Sequence, residues 1–331
     1  MNQLIATNLN YHAKTFGRTK ENVIERARVY RKFTEDFSST IKEELRGVAD
    51  GSGAKLDEIY MLAAFCELIY PASRSADAMS HCTSFAVRNG ATTDRLTYVG
   101  QTDDESINPW LNGECVTLVR YIQSEAPRAL IYSYAGVPAQ NGLNSAGLAV
   151  CVNALHYDKA RNGVPMWCLV REVLNQKSVE DAISLIQKTK RAYSLNFMLG
   201  DTQQITDLET TPESVTRTNS KDLLYHTNHY LRSKDPGIGS QETSNFGNTK
   251  TRLQRIAELM EPSKGQFNLA TLQAFLRDHE NRPNSICRHS DEDPSNKESK
   301  TFSGLIYNPE KGEAWLTKGN PCENDFIKYS V

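Results

Sequence analysis

The spacing of apolar and polar positions divides the chain into a helical part and a β-rich part. From Val23 to Leu45 the larger side chains recur every three or four positions, which predicts one face of a single amphipathic helix. Gly51 and Gly53 end this helix, because glycine accepts the backbone conformations of a turn. A second apolar pattern predicts a helix over 56–70. The first eighty or so residues are therefore predicted to be helical.

Beyond this part, the pattern changes to short runs rich in β-branched and aromatic residues, separated by turn dipeptides such as the one at 141–142. These runs predict strands at 82–87, 96–100, 115–121, 129–134, 148–153, 196–200, 205–209, 215–218 and 223–228, and a final hairpin at 302–307 and 313–316. Helices are predicted at 166–174, 179–189, 249–260 and 269–277. The polar stretch 231–248 is predicted to be a loop without core residues. This order of elements favours an α+β layered sandwich over a doubly wound parallel sheet.

Composition and charge exclude several classes of protein. The chain has 38 basic and 40 acidic side chains, a net charge of −2, and the two signs are interspersed, which argues against nucleic acid or a membrane surface as partner. It has no apolar run long enough for a membrane-spanning helix, and its first residues lack the pattern of a signal peptide. Seven cysteines in 331 residues are too sparse for a disulfide framework. We therefore expect a cytoplasmic protein with reduced thiols.

Metal and cofactor motifs give no match. The chain lacks a phosphate-binding loop, a dinucleotide-binding glycine motif, His-Glu-x-x-His and Cys-x-x-Cys. His226 and His229 are three apart on a predicted strand, where they would point to opposite faces. We therefore expect no metal and no cofactor. A metal-dependent hydrolase that uses these two histidines remains an alternative, which activity in the presence of chelators would exclude.

The segment most informative about chemistry is Cys82 at the seam between the helical and β-rich parts. Its thiol can attack the carbonyl carbon of His81, and water can then release the preceding chain from the thioester. The new α-amine of Cys82, with an ordinary pKa of about 7.7–8.0, would then accept the thiol proton without a separate histidine. On composition alone, however, a strand cysteine is more often a small core residue.

A series of short segments follows one order along the chain: 82–84, 100–104, 142–147, 153–156, 163–165, 226–229 and 284–288. The series resembles the acyl-coenzyme A:6-aminopenicillanate (isopenicillin N) acyltransferase family of N-terminal-nucleophile hydrolases, the C45-type cysteine peptidases. Residues 47–51 and 56–59 also resemble the family's propeptide. The resemblance implies a four-layer αββα sandwich. It also implies a helical prosegment at 1–81 and a catalytic domain at 82–331, which remain associated after self-cleavage.

The resemblance also implies roles for individual residues. Cys82 matches the nucleophile, which is freed by cleavage of the bond after His81. Asp104 matches the acidic residue that holds the new α-amine. Asn228 matches the amide of the oxyanion hole. Arg288 matches an arginine of the substrate pocket, which is suited to a bidentate grip on a carboxylate or to steadying the charge of the site.

Simpler interpretations of these residues stay open. Ser84 shares a strand face with Cys82 and is expected to assist self-cleavage and to contribute to substrate binding. Asp104 can simply cap a turn, and Asp103 is as well placed in sequence for the acidic role. Asn228 can be a turn former, and Arg288 can belong to a surface ion pair. The histidines of the matching segments are expected to be structural: His156, His226 and His229.

Two departures from the family pattern bear on function. His81 stands where the family usually has glycine before the nucleophile, and the ending at 329–331 lacks the peroxisomal tripeptide of the fungal penicillin enzymes. We therefore expect an enzyme that cleaves or transfers acyl groups at another amide bond, in a small molecule or a peptide. Acyl-coenzyme A is a possible donor. The alternative is an uncleaved, catalytically silent relative that acts as a binding protein.

Overall fold

The computed structural model describes residues 1–69, 82–157, 161–239, 247–290 and 299–331. The helices in these ranges are α1 (Asn2–Phe16), α2 (Lys20–Phe37), α3 (Ser39–Ser52), α4 (Leu56–Ala63), α5 (Phe65–Ile69), α6 (Met166–Val173), α7 (Val179–Lys188), α8 (Gly247–Met260) and α9 (Leu269–Leu276). The strands are β1 (Thr83–Val87), β2 (Tyr98–Ser106), β3 (Val116–Tyr121), β4 (Ala129–Tyr134), β5 (Asn141–Asn144), β6 (Ala149–Ala154), β7 (Leu195–Gly200), β8 (Ile205–Thr210), β9 (Val215–Ser220), β10 (Leu223–His226), β11 (Ser299–Asn308), β12 (Glu313–Leu316) and β13 (Ile327–Ser330).

The strands form two antiparallel sheets. One has the order β10-β1-β2-β11-β12-β13, and the other runs in sequence order from β3 to β9. The inner faces of the two sheets pack on each other through a shared apolar cluster that includes Ala86, Val99, Leu143, Met198 and Leu305. The sheets are therefore the two inner layers of the molecule.

Helices cover both outer faces. On the six-stranded sheet, Phe85 and Ile306 share a cluster with Ile256 of α8 and Leu272 of α9. The outer face of the seven-stranded sheet shares a larger cluster with α6, α7 and the N-terminal helices. The layers follow the order αββα, which confirms the predicted four-layer sandwich.

The N-terminal helices are continuous with this core. The Glu67 carboxylate on α5 accepts a hydrogen bond from the Met166 amide at 2.7 Å, where α6 begins. Arg171 on α6 donates to the Glu44 carboxylate on α3 at 2.9 Å and is itself fully buried. Residues 1–69 thus belong to the same packed body as the sandwich.

The prediction of a single helix from Val23 to Leu45 is wrong, because this segment forms two helices, α2 and α3. It breaks at Ser38, whose hydroxyl accepts a hydrogen bond from the Ile41 amide at 3.2 Å and so caps α3. The apolar spacing continues across the break, so periodicity alone does not reveal it. The helix predicted at 56–70 likewise divides at Ala64, and Tyr70 lies outside the described residues.

Some polar segments also differ from prediction. The dipeptide at 141–142, predicted as a turn, belongs to β5, which forms because β4 and β6 pair with it on either side. The predicted loop 231–248 contributes a core residue, since Ile238 is buried with Leu155, Tyr157 and Tyr230. The chain also adds β13 beyond the predicted hairpin. Within the described ranges, no helix is both long and apolar enough to cross a bilayer.

Candidate active site

Cys82 lies immediately before β1, at one end of the six-stranded sheet. Strand β1 runs antiparallel to its neighbours β2 and β10, so that Thr83 pairs with Thr102, and Ser84 pairs with both Gln101 and His226. The start of β1 therefore lies beside the middle of β2 and the end of β10. This topology brings together sequence segments that lie more than a hundred residues apart.

The backbone of Cys82 is held by two side chains from other layers. Its carbonyl oxygen accepts hydrogen bonds from Arg252 Nη1 at 2.7 Å and from Asn153 Nδ2 at 3.1 Å. Ser84, the second residue along, donates its hydroxyl to Asn153 Oδ1 at 2.6 Å. Ser84 thus faces the opposite sheet and helps to orient the amide that holds Cys82.

The Cys82 thiol is held in its neutral form. Cys82 is 1% exposed, and burial raises the pKa of its thiol well above the ordinary value. The negative charges of Asp103, Asp104 and Glu105 raise this pKa further, while a hydrogen bond from the backbone of Asp104 lowers it. A nucleophilic role for this thiol therefore requires a base that accepts its proton.

Asp104, on β2, faces this end of the sheet and is fully buried. Its carboxylate accepts a hydrogen bond from the Thr301 hydroxyl of β11 at 2.6 Å. Burial raises the pKa of Asp104 to about 7, and the charges of Arg252 and Arg288 oppose this rise. A carboxyl group with such a pKa can take up or release a proton near neutral pH.

Asp103 points the other way and has different partners. Its carboxylate accepts hydrogen bonds from the hydroxyls of Tyr132 at 2.6 Å and Tyr134 at 2.8 Å, and from Gln140 Nε2 at 2.8 Å. These side chains belong to β4 and the turn that follows it. The two aspartates are therefore not equivalent: Asp103 joins the two sheets, whereas Asp104 shares its surroundings with Arg252 and Arg288.

Asn228 lies two residues after β10, next to Arg252. Arg252 Nη2 donates to Asn228 Oδ1 at 2.9 Å, and Asn228 Nδ2 donates to the Ala154 carbonyl at 3.0 Å. The Asn228 amide N–H donates to the Thr249 hydroxyl at 2.7 Å. Asn228 is thus connected to Cys82 through a single guanidinium, which donates to both residues.

Arg288 is not on the surface. It is 1% exposed, so the interpretation as a surface ion pair is wrong. Its amide donates to the Thr301 hydroxyl at 2.8 Å, and that hydroxyl donates in turn to Asp104. The structure therefore brings Cys82, Ser84, Asp104, Asn228 and Arg288 to one end of the sandwich, while His81 lies outside the described residues.

Sequence reasoning missed the residue at the centre of this network. Arg252 is fully buried on α8, and it also donates to the Thr83 hydroxyl at 2.9 Å. The sequence signal that could have revealed Arg252 is its spacing of four and eight residues from Ile256 and Met260, which places an arginine on the buried face of the helix. Asn153 is the first residue of the matching segment 153–156, and the sequence alone gives it no role, although its amide contacts both Cys82 and Ser84.

Two histidines of the matching segments, His226 and His229, have hydrogen-bonding partners within the fold. His226 Nε2 lies 3.1 Å from Glu209 Oε1, and His229 Nδ1 lies 3.0 Å from the Thr249 hydroxyl. Burial lowers the pKa of His229 to about 4. These contacts fit the expected structural roles.

Comparison with known proteins agrees with the geometry. The model of the acyl-coenzyme A:6-aminopenicillanic acid acyl-transferase family matches residues 92–323, more than half of the chain. The chain belongs to this family. The 40 kDa form of acyl-coenzyme A:6-aminopenicillanic-acid-acyltransferase from Emericella nidulans is 27% identical over 292 residues, which cover 86% of this chain and 76% of that protein.

Solved structures resemble the fold of this acyltransferase-family chain. A variant of the conjugated bile acid hydrolase from Clostridium perfringens aligns with a TM-score of 0.50 at 14% identity, over 76% of this chain and 97% of that chain. Penicillin V acylase from Agrobacterium tumefaciens aligns with a TM-score of 0.49 at 12% identity, over 76% of this chain and 86% of that chain. The bile acid hydrolase supports the assignment of the sandwich fold.

Proposed function

We propose that this chain is a self-processing enzyme that cleaves or transfers acyl groups at amide bonds through an S-acyl-Cys82 intermediate. The observation that carries the proposal is the position of Cys82 at the start of β1, with Asp104 and Asn228 in one network around Arg252. Membership of the acyltransferase family agrees with this chemistry.

The first step is self-cleavage. The Cys82 thiol attacks the carbonyl carbon of His81, the C–N bond breaks, and the thiol proton passes to the departing nitrogen, which becomes the new α-amine. Water then hydrolyses the thioester, which frees the Cys82 thiol and leaves a carboxylate on His81. The helical contacts described above, such as Arg171 with Glu44, would hold residues 1–81 and 82–331 together afterwards.

The freed residue carries both a nucleophile and a base. The α-amine takes the thiol proton, and the thiolate attacks the amide carbonyl of the substrate. Asp104 orients the amine and stabilises its protonated form, and Asn228 Nδ2 donates to the oxygen of the tetrahedral intermediate. The amine product leaves with the proton. Water then resolves the S-acyl group in hydrolysis, or a second amine does so in transfer.

Arg288 indicates which class of substrate the site would accept. Arg288 offers a buried positive charge beside Asp104, which suits a small molecule or peptide with a carboxylate near its amide bond. Acyl-coenzyme A is a candidate acyl donor for transfer, by analogy with the enzymes for which the family is named. The proposed reaction needs no cofactor.

Alkylation kinetics and a substrate screen test the proposal together. Burial raises the pKa of each of the other thiols, which are Cys66, Cys115, Cys151, Cys168, Cys287 and Cys322. In cleaved protein at neutral pH, iodoacetamide should therefore label Cys82 first and abolish amide hydrolysis in parallel. Labelling of Cys82 no faster than the others, together with no turnover of N-acyl amides, would overturn the proposal.

A binding protein is the second candidate, and His81 in place of glycine favours it. In an uncleaved chain the Cys82 thiol has no α-amine beside it, and its raised pKa disfavours attack. Such a chain would bind N-acyl compounds without turning them over. Isothermal titration of the uncleaved Cys82→Ala chain with the hydrolysis products separates binding from catalysis.

A further inference from the structure

Side chains with nitrogen and sulfur ligand atoms meet between the segment after α9 and the turn before β13. They are His279, Cys287, His289 and Cys322, and one ligand atom from each lies within 4.8 Å of all the others. Cys287 Sγ is 3.6 Å from Cys322 Sγ, and His279 Nε2 is 3.0 Å from His289 Nε2. Cys322 Sγ is 3.2 Å from His289 Nε2.

We propose that these four side chains bind a zinc ion. Zinc is held at about 2.3 Å by cysteine sulfur and about 2.0–2.1 Å by histidine nitrogen, in a tetrahedron whose edges are then roughly 3.3–3.8 Å. The three measured separations lie close to such edges. Two thiolates and two neutral imidazoles suit zinc, whereas calcium and magnesium require oxygen ligands.

Neighbouring polar groups support the ligands. The Nδ1 atom of His289 lies 3.6 Å from Glu323 Oε1, while its Nε2 faces the cysteines. A carboxylate on the far nitrogen is the usual arrangement around a zinc-bound histidine, because it fixes the ring and its tautomer. Asn320 Nδ2 lies 3.5 Å from Cys287 Sγ, as a donor to a metal-bound thiolate would. The surroundings therefore fit thiolate and imidazole ligands.

The site would be structural. All four corners of the tetrahedron are filled by side chains, which leaves no position for water or substrate. In the sequence, Arg288 lies between the ligands Cys287 and His289. Its carbonyl oxygen accepts a hydrogen bond from Asn320 Nδ2 at 2.7 Å. The ion would thus tie the turn before β13 to the loop that brings Arg288 to Thr301. This role does not depend on the proposed amide chemistry.

The sequence search missed this group because its spacing matches no common motif. Cys287 and His289 are two apart, but His279 precedes them by eight residues, and Cys322 follows on a different turn. Cysteine and histidine ligands of a structural zinc site usually come in close pairs. Here His279 and Cys322 join the other two ligands only in the folded chain.

Metal analysis of the wild-type chain, expressed with zinc in the medium and purified without chelators, is the direct test. We expect one zinc per chain by plasma mass spectrometry, and two sulfur and two nitrogen neighbours in zinc X-ray absorption. Replacement by cobalt should give the visible bands of tetrahedral sulfur-coordinated Co²⁺. Protein without zinc, iron at the site, or a Cys287–Cys322 disulfide found by mass spectrometry would each overturn the proposal.

Variants locate the site on the chain. Cys322→Ser and His279→Gln should lose the bound zinc and unfold at lower temperature. Cys115→Ser is the matched control, and this variant should keep the zinc. The Cys115 thiol donates to the Trp110 carbonyl at 3.0 Å, and Cys115 is far from the cluster in sequence. If a cluster variant fails to fold, the absorption and cobalt spectra of wild-type protein decide the question. Full zinc occupancy in folded Cys322→Ser would overturn the assignment.

Discussion

The guanidinium of Arg252 donates to Asn228 Oδ1 at 2.9 Å, which determines how the amide of Asn228 is oriented. Arginine has only donors, so the atom that faces it must be the amide oxygen, and the Nδ2 group must point away. The same guanidinium holds the carbonyl of Cys82 at 2.7 Å. One buried side chain thus holds the backbone of the proposed nucleophile and sets the direction of the proposed oxyanion donor.

Replacement of Arg252 by lysine should reduce kcat much more than it changes KM. A single ammonium cannot donate to Cys82 and Asn228 at once in the geometry of the guanidinium. We expect kcat to fall by about 10–100-fold, and by about 10²–10³-fold in Asn228→Ala, which removes the donor itself. Steady-state kinetics on an N-acyl amide substrate gives both values.

A matched control for this variant is Arg171→Lys, because Arg171 is equally buried but pairs with Glu44 in the helical part. It should lower the free energy of unfolding and leave kcat of the folded enzyme within a few-fold of wild type. An equal loss of kcat in both variants would mean that Arg252 acts through the fold alone.

Substitutions of Asp104 and Asp103 should have different effects, on catalysis for Asp104 and on stability for Asp103. In the proposed mechanism Asp104 orients and stabilises the α-ammonium group, so we expect Asp104→Asn to lower kcat/KM by about 10²-fold or more. Asp103→Asn removes a charged acceptor from Tyr132 and Tyr134 and should lower the free energy of unfolding by roughly 1.5–3 kcal/mol. Kinetics and urea unfolding on both variants make the comparison, and the opposite pattern would assign the catalytic role to Asp103.

Glu67 should make the fold less stable as pH rises. Burial raises the pKa of Glu67 to about 7, from an ordinary value of about 4.5. Between these values the folded chain holds a proton that the unfolded chain releases, so the free energy of unfolding falls with increasing pH across that window. The free energy of unfolding is lowered by about 3 kcal/mol in total, and this loss is complete above about pH 7.

Urea unfolding of Glu67→Gln at about pH 4 and about pH 8 tests this linkage. The glutamine oxygen can still accept from the Met166 amide, so the variant should gain stability over wild type at the higher pH by up to about 3 kcal/mol. Glu25→Gln, at an exposed position on α2, serves as the control and should leave the pH dependence of wild type unchanged. An unchanged pH dependence in Glu67→Gln would show that the Glu67 carboxyl is not the buried titrating group.

The sequence predicts the fold well where apolar periodicity is strong. The strand at 129–134 and the hairpin strand at 313–316 coincide with β4 and β12. The strand predicted at 96–100 stops short, because β2 continues through Gln101 to Ser106 with buried polar side chains. Hydropathy does not distinguish such a segment from a loop, since the polar groups are satisfied by partners on other layers.

The candidate site could be predicted in part because its residues lie in short recognisable segments. Cys82, Asp104 and Asn228 lie in such segments, whereas Arg252 and all of the proposed zinc ligands except Cys287 lie outside them. Their roles depend on contacts across large sequence separations, such as Arg252 with Thr83. Periodicity and local motifs carry no information about such pairs, and only the assembled layers reveal them.

Self-cleavage at Cys82 is tested by the intact mass of the purified wild-type chain. We expect two associated fragments, one ending at His81 and one comprising residues 82–331, with Cys82 as the first residue in N-terminal sequencing. Cys82→Ala should remain a single chain of full length. A wild-type chain that stays intact while it hydrolyses amides, or cleavage that persists in Cys82→Ala, would contradict the account.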